Sequence, residues 1–331
     1  MTQKRYPSST EVARLAGVSQ SAVSRTFTPG ASVSQKTREK VMAAADALGF
    51  RPSLIPQIML TNRSGLVAVV VGGLENPFYG RVLEAFATRL REAGKQILLV
   101  PVESDYALDA VVAKLSQYRV DAIVSALAVL SPEVACTLSA FRIPVVSFNT
   151  PVTAEWVGSV GSDNVAGGRQ AAAHLHERGA RRFAFLAGPA ESPASQERLA
   201  GFREETARRG LPEPAVAGEH YTYASGAAAL ATLVEAGYGF DGIFAANDLN
   251  AFGALDALRR HGRRVPEDVR VVGYDDTSAA GWDAYRLTSL DQDVPALVDA
   301  ALGLVARISE TGECPERVLV PPRLVVREST R

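Results

Sequence analysis

Cysteine is scarce: the 331 residues hold two, Cys136 and Cys314. Two thiols make no disulfide framework, and neither has the paired neighbours of a zinc site, so both read as reduced structural thiols. Histidine is nearly as rare, with four. His174 and His176 stand two apart on an expected helix and point to different faces, while His220 and His261 have no partner at ligand spacing, so no metal is expected. No apolar stretch approaches the roughly 18 uninterrupted residues of a membrane span, and the N-terminus lacks the apolar core of a secretory signal. A cytoplasmic chain with no membrane partner is expected. The glycine-rich phosphate loops, the G-x-S-x-G elbow and the H-E-x-x-H zinc motif are missing too. Asp275 and Asp276 are adjacent carboxylates without an accompanying nucleophile, so neither an enzyme nor a cofactor is expected.

An excess of charge of one sign is missing from the total but not from its parts. Basic and acidic residues number 35 and 36, a net of −1. Residues 1–63 hold nine basic against three acidic ones, net +6, which leaves −7 on the remainder. A basic module on an acidic body is the asymmetry expected when one end meets a polyanion. With 47% apolar and 21% charged residues the composition is that of an ordinary globular chain and excludes disorder.

Residues 8–49 read as three short helices. Ser8 with Glu11 fits a capping box, and Val12, Leu15 and Ala16 form the stripe of a first helix that ends near Gly17. Ser19 caps a second helix over 20–27 with Ala22 or Val23, Thr26 and Phe27 turned inward. Ser34 caps a third, with Val41, Met42, Ala45 and Leu48 on its buried face and Gly49 closing it. The spacing of Ala13, Gly17, Val18 and Val23 is that of a helix-turn-helix; a helical hairpin without a ligand is the alternative. Its second helix offers Gln20, Ser21, Ser24 and Arg25 to base edges. Ser19, Ser24, Ser32, Lys36, Thr37 and Arg38 suit phosphates.

A proline-bearing segment over 51–64 follows, and then strand and helix alternate. Apolar runs fall at 66–71, 96–102, 122–127, 145–148, 183–187, 242–246 and 269–273, with helical segments at 78–93, 166–178, 196–209 and 250–261. Such alternation argues a parallel sheet covered on both faces, and about 265 residues suit two doubly wound subdomains. The expected fold is an N-terminal all-α helix-turn-helix bundle over 1–50, a hinge over 51–64 and an α/β body over 65–331. Crossings between the subdomains are expected near 151–161, 291–294 and 320–322. Open α/β sheets bind small molecules at strand C-terminal ends. The polar and aromatic residues there are Asn76, Phe78, Tyr79, Asn149, Asn247, Asp248, Asp275 and Asp276, with Gln292 on a late crossing. Asp248 and Asp276 also suit helix caps, and Asn76 before Pro77 suits a turn. Phe183 and Phe185 suit the core.

The stretches TEVARLAGVSQSAVSR and VSQKTREKVMAAADALGFRP, followed in order by NPFY, SDNVAGG, HLHERGARRFAFLAG, RLAGF, FAANDLNAFGALDAL, VVGYDD and LTSLDQD, resemble the LacI/GalR family of bacterial transcription regulators along the whole chain. The resemblance implies a periplasmic-binding-protein-like body and a homodimer on pseudo-palindromic double-stranded operator DNA, associated with the bacterial nucleoid when bound. It puts Gln20, Ser21 and Arg25 at the base-reading positions and Met59 at an apolar wedge for the minor groove. Ser53, Pro56 and Gln57 depart from the family's usual hinge residues. Arg198, Asn247, Asp275 and Gln292 match effector-binding positions, with Phe78, Tyr79 and Tyr221 as walls; a salt bridge to a neighbouring Glu is the other reading of Arg198. The function implied is a repressor governed by a small polar metabolite, a sugar or sugar acid. A corepressor-dependent or activating regulator is the alternative, and a transport solute-binding protein the alternative of another class.

Overall fold

Short polar side chains start each helix of the first unit, and glycine ends two of them. The computed structural model describes residues 7–28, 30–51, 58, 63–102, 115, 118–126, 140, 142–152, 154–313 and 317–331, which form two units divided at Ser64. Helix α1 (Ser9–Ala16) opens on a capping box: the Glu11 N–H donates to Ser8 Oγ at 3.2 Å and the Ser8 N–H to Glu11 Oε2 at 2.8 Å. Gly17, at φ 65°, turns the chain into α2 (Gln20–Phe27), and Ser34 and Gly49 bracket α3 (Gln35–Leu48). The core is Val12, Ala13, Ala16, Val23, Val41, Ala44, Ala45 and Phe50, with Phe27 half-buried against it.

Three expected core assignments fail here, Leu15, Met42 and Leu48. Leu15 is 56% and Met42 42% exposed. At about 100° per residue, Val12, Ala13 and Ala16 define one arc of α1 and Val41, Ala44 and Ala45 one arc of α3; Leu15 and Met42 each fall about 110° from the arc's centre. Leu48, the last residue of α3, is also exposed.

The second unit holds two six-stranded sheets. Its elements run β1 (Leu66–Val71), α4 (Pro77–Glu92), β2 (Gln96–Pro101), β3 (Ala122–Ala126), β4 (Val145–Phe148), β5 (Val157–Ser162) and α5 (Asn164–Glu177). Then follow β6 (Phe183–Leu186), α6 (Pro193–Arg208), β7 (Ala215–Ala217), α7 (Tyr223–Glu235), β8 (Gly242–Ala245), α8 (Asp248–Arg260) and β9 (Arg270–Tyr274). The last are β10 (Thr288–Asp291), α9 (Val294–Thr311), β11 (Val318–Val320) and β12 (Arg323–Val325). The first sheet has the order β11-β5-β4-β3-β1-β2 and is parallel throughout; the second, β12-β10-β9-β8-β6-β7, is parallel except for β12 on β10.

Each sheet with its helices is a lobe, and the chain passes between lobes three times. It leaves the first sheet after β5, returns after β10 so that α9 buries Leu297, Val298, Ala301, Leu304 and Val305 under that sheet, and leaves again between β11 and β12. The first passage is therefore later than the expected 151–161: residues 157–162 are strand β5, buried at every position. The second lobe packs α5 on α6 with backbones nearly touching. A Cβ at Gly201 would lie 2.0 Å from the Val165 carbonyl oxygen, and one at Gly168 2.1 Å from that of Arg198. Only glycine fits at either position.

Candidate functional site

On α2, Ala22, Val23 and Thr26 are buried, which turns Gln20, Ser21, Ser24 and Arg25 outward together with the cap Ser19. Ser19 Oγ accepts from the Ala22 N–H at 3.3 Å and is 2.9 Å from Ser21 Oγ, while Gln20 Nε2 donates to Ser9 Oγ at 2.9 Å. The exposed face of α2 is thus held in place by α1 and by its own cap. Ser32 is exposed before α3, and Thr37 Oγ1 lies 2.8 Å from Ser34 Oγ in the first turn of that helix. Arg38 is engaged differently from the phosphate role expected of it: its Nη1 donates to the Thr26 carbonyl at 3.0 Å, joining α3 to the end of α2. Met59 and the hinge residues Ser53, Pro56 and Gln57 lie outside the described residues, as do Cys136 and Cys314.

In the second unit, Phe78, Tyr79, Asn149, Arg198, Tyr221, Asn247, Asp275 and Gln292 line one cavity between the two sheets. Asn76, Ser192 and Ala194 complete it. The parallel sheets deliver these residues, because each strand runs toward the cleft and releases its next residue there. Asn149 follows β4, Asn247 follows β8 by two residues and Asp275 follows β9. Phe78 and Tyr79 open α4, their rings edge to face at 5.4 Å, so the first lobe contributes an aromatic wall.

Polar contacts cross that cleft. Asp275 accepts from Gln292 Nε2 at 2.6 Å and, from the first lobe, from Asn76 Nδ2 at 3.3 Å. Arg81 on α4 donates to the carbonyls of Asp275 and Asp276 at 3.1 and 2.7 Å. Arg198, 4% exposed, donates from Nε to Asn164 Oδ1 at 2.9 Å and from Nη1 to the Ala246 carbonyl at 2.5 Å. The Tyr221 and Ser192 hydroxyls are 2.8 Å apart, and Asn247 Nδ2 donates to the Tyr221 carbonyl at 3.3 Å. Two buried carbonyl oxygens of the lining, Gln292 Oε1 and Asn149 Oδ1, accept from no protein group. Burial raises the Asp275 carboxyl above its usual range, against the lowering influence of Arg198, Gln292 and Asn76.

The alternatives left open by sequence divide residue by residue. Asn76 is a cap as well as a lining residue, since its Oδ1 accepts from the Phe78 N–H at 3.0 Å; Asn247 likewise caps α8 by accepting from Asn250. Asp248 and Asp276 are not caps: the first accepts from Thr277 and Ser289, the second takes Arg327 Nη1 at 2.6 Å. Arg198 does not pair with its neighbour Glu197, which instead holds Arg317. Phe183 and Phe185 are core. Sequence reading missed Ser192, Asn164 and Arg81. Ser192 before Pro193 is a helix-start signature and was findable at a strand's C-terminal side; Asn164 and Arg81 carry no spacing signal.

Residues 10–53 match the bacterial regulatory proteins of the lacI family, and residues 172–330 match the periplasmic binding protein-like domain. The HTH-type transcriptional regulator CelR of Thermobifida fusca is 36% identical over 99% of this chain and the whole of that protein. The lac repressor dimer bound to operator and the anti-inducer ONPF superposes with a TM-score of 0.89 at 27% identity, covering 98% of this chain and 99% of that one. A CelR–cellobiose complex does so at 0.73 and 34% identity, with the same coverage.

Proposed function

The chain belongs to the LacI family of bacterial regulatory proteins and is a DNA-binding transcriptional regulator, and on that premise we propose that it is a repressor whose hold on operator DNA is controlled by a small sugar bound in its second unit. Residues 1–50 read the operator, with Gln20, Ser21 and Arg25 at base edges and Ser19, Ser24, Ser32 and Thr37 on phosphates; 51–64 serve as the hinge, with Met59 as its wedge. Residues 65–331 bind the effector and form the homodimer, so that two heads meet the two halves of a pseudo-palindrome. The protein works in the bacterial cytoplasm, at the nucleoid when operator-bound.

One observation carries the effector reading. The cavity sets a cation, Arg198, beside a carboxylate, Asp275, next to the unpartnered oxygens of Gln292 and Asn149 and the wall of Phe78 and Tyr79. Vicinal hydroxyls both donate and accept, so a sugar ring satisfies all four polar groups while its apolar face meets the aromatics. Sugar and operator are coupled only through their different affinities for the arrangements of the lobes, a coupling of about 1–3 kcal/mol in such systems.

The test is thermal unfolding of the full chain against neutral sugars, sugar acids and purines, with cellobiose, the ligand in the related CelR complex, first. At least one sugar should raise the midpoint, and Arg198→Ala should lose that rise. No shift from any sugar would overturn the effector assignment.

A further inference from the structure

Tyr274 is the last residue of β9, fully buried, with its ring against the cleft residue Arg198 and its hydroxyl at a lobe crossing. The Arg198 guanidinium lies over the ring, 3.6 Å from its centroid. The hydroxyl is 2.7 Å from Ser162 Oγ, on the last residue of β5 in the other lobe. A Cβ at Gly167 would come within 2.7 Å of Tyr274 Cε2 and 3.1 Å of Pro322 Cγ, so the ring's tip is enclosed by the first turn of α5 and by Pro322, in the two-residue link between β11 and β12. Those two crossing segments are joined to each other, the Asp163 N–H donating to the Val320 carbonyl at 2.8 Å.

A second tie leaves Arg198 in the same direction. Its Nε donates to Asn164, two residues past Ser162; Asn164 Nδ2 donates to Glu197 Oε2 at 2.9 Å; and Glu197 receives both Nη atoms of Arg317, which leads into β11. We propose that Tyr274 is a positioning residue that ties the Arg198 guanidinium to the crossings between lobes, so that a displacement of Arg198 in the cleft is felt where the lobes hinge. The proposal rests on reading the cleft as the effector site. A tyrosine needed only for packing would be served as well by phenylalanine, which keeps the ring and drops the hydroxyl, so the bond to Ser162 separates the two roles.

The experiment needs no effector. Affinity at 25 °C is measured for a DNA duplex selected from random sequence by the wild-type full chain, using wild type, Tyr274→Phe, Ser162→Ala and the double variant. Each single change should shift operator affinity in the same direction by about fivefold or more, with no further shift in the double, because both remove one bond. Affinities within twofold of wild type, or single effects that multiply in the double variant, overturn the proposal. A purely structural role would lower the melting temperature and leave 25 °C affinity alone. Should Tyr274→Phe fail to fold, the small change Ser162→Ala decides by itself. Failure of the cleft reading appears separately, in the sugar melts.

Discussion

Asp248 Oδ2 accepts twice from Thr277, from its N–H at 2.7 Å and its hydroxyl at 2.9 Å, while Oδ1 takes the Ser289 hydroxyl at 2.6 Å. These bonds fasten the start of α8 to the loop that presents Asp275, whose φ of 113° an L residue rarely adopts. Such a backbone persists only where its surroundings fix it, and Asp248 supplies much of that constraint.

The same carboxyl makes stability depend on pH. Burial, with Asp275 nearby, pushes it from 3.8 up to about 8. Between those values the folded state keeps a proton that the unfolded chain has lost, so this group's contribution is full at low pH and declines as pH rises from about 4 to about 8. Asp248→Asn removes this carboxyl's titration and leaves Asp275 without the neighbour it is coupled to. The wild-type midpoint minus the variant's should fall steadily from pH 5 to pH 8 by several degrees in calorimetry, and a flat or rising difference would refute the assignment. His174, whose pKa burial lowers, acts with the opposite sign but equally in both proteins.

If the proposed effector is a sugar, the cleft's charge balance predicts which kind it takes. Among the described residues that line the cavity, Arg198 is the cation, and it faces the Asp275 carboxyl, which burial raises and Arg198 lowers. An acid would bring a second negative charge without a second cation. Any neutral sugar that stabilises the protein should therefore do so at concentrations at least tenfold lower than its uronic acid, and Asp275→Asn should narrow that ratio; titration calorimetry with both ligands measures it. Equal affinities would show that the cleft does not discriminate by charge.

How much of this was legible follows from what each residue had to do. Strands built of Val, Ile and Phe announced themselves, and so did caps such as Ser8 and Ser34, whose chemistry is local. Strand β5, VGSVGS, did not: its small residues alternate with nothing, yet all six are buried because a parallel strand inside a sheet is covered on both faces. Leu15 and Met42 carried a hydrophobic signal with no partner helix to meet it. All eight candidate cleft residues share one cavity, because strand ends and family motifs fixed their places. The partners of Arg198 were invisible, since Asn164 and Tyr274 reach it through the fold of the chain and not through spacing.

The contact between α5 and α6 predicts a steric cost at one position. A methyl group at Gly201 would sit 2.0 Å from the Val165 carbonyl oxygen, inside van der Waals contact, and backbone on both sides cannot swing away. Gly201→Ala should destabilise the second unit by about 1–3 kcal/mol through forced helix separation. It should also weaken any stabilising sugar, because Arg198 rides on the same helix. A melting midpoint within about 1 °C of wild type would mean that the helices part freely.

Replacing Arg25 and Lys36 in turn tests whether reading and holding are divided between α2 and α3 in the first unit. Both side chains are exposed, and neither is in the core of Val12, Val23, Val41 and Phe50, so their removal should leave the melting temperature nearly unchanged. Their positions differ: Arg25 lies on the outward face of α2, Lys36 in the first turn of α3. An arginine paired with a guanine edge contributes about 1–3 kcal/mol to discrimination, so Arg25→Ala should weaken binding to the selected duplex about tenfold and flatten the preference at one base pair of each half-site. A lysine on a phosphate carries no sequence information. Lys36→Ala should weaken all duplexes alike and lower the slope of log affinity against log salt by about one per head. Fluorescence anisotropy across a salt series, on the selected duplex and on single-base variants of it, distinguishes the two. If Arg25→Ala changed the salt slope and left base preference intact, α2 would be a phosphate-binding helix and the reading element would have to be sought elsewhere in residues 1–50.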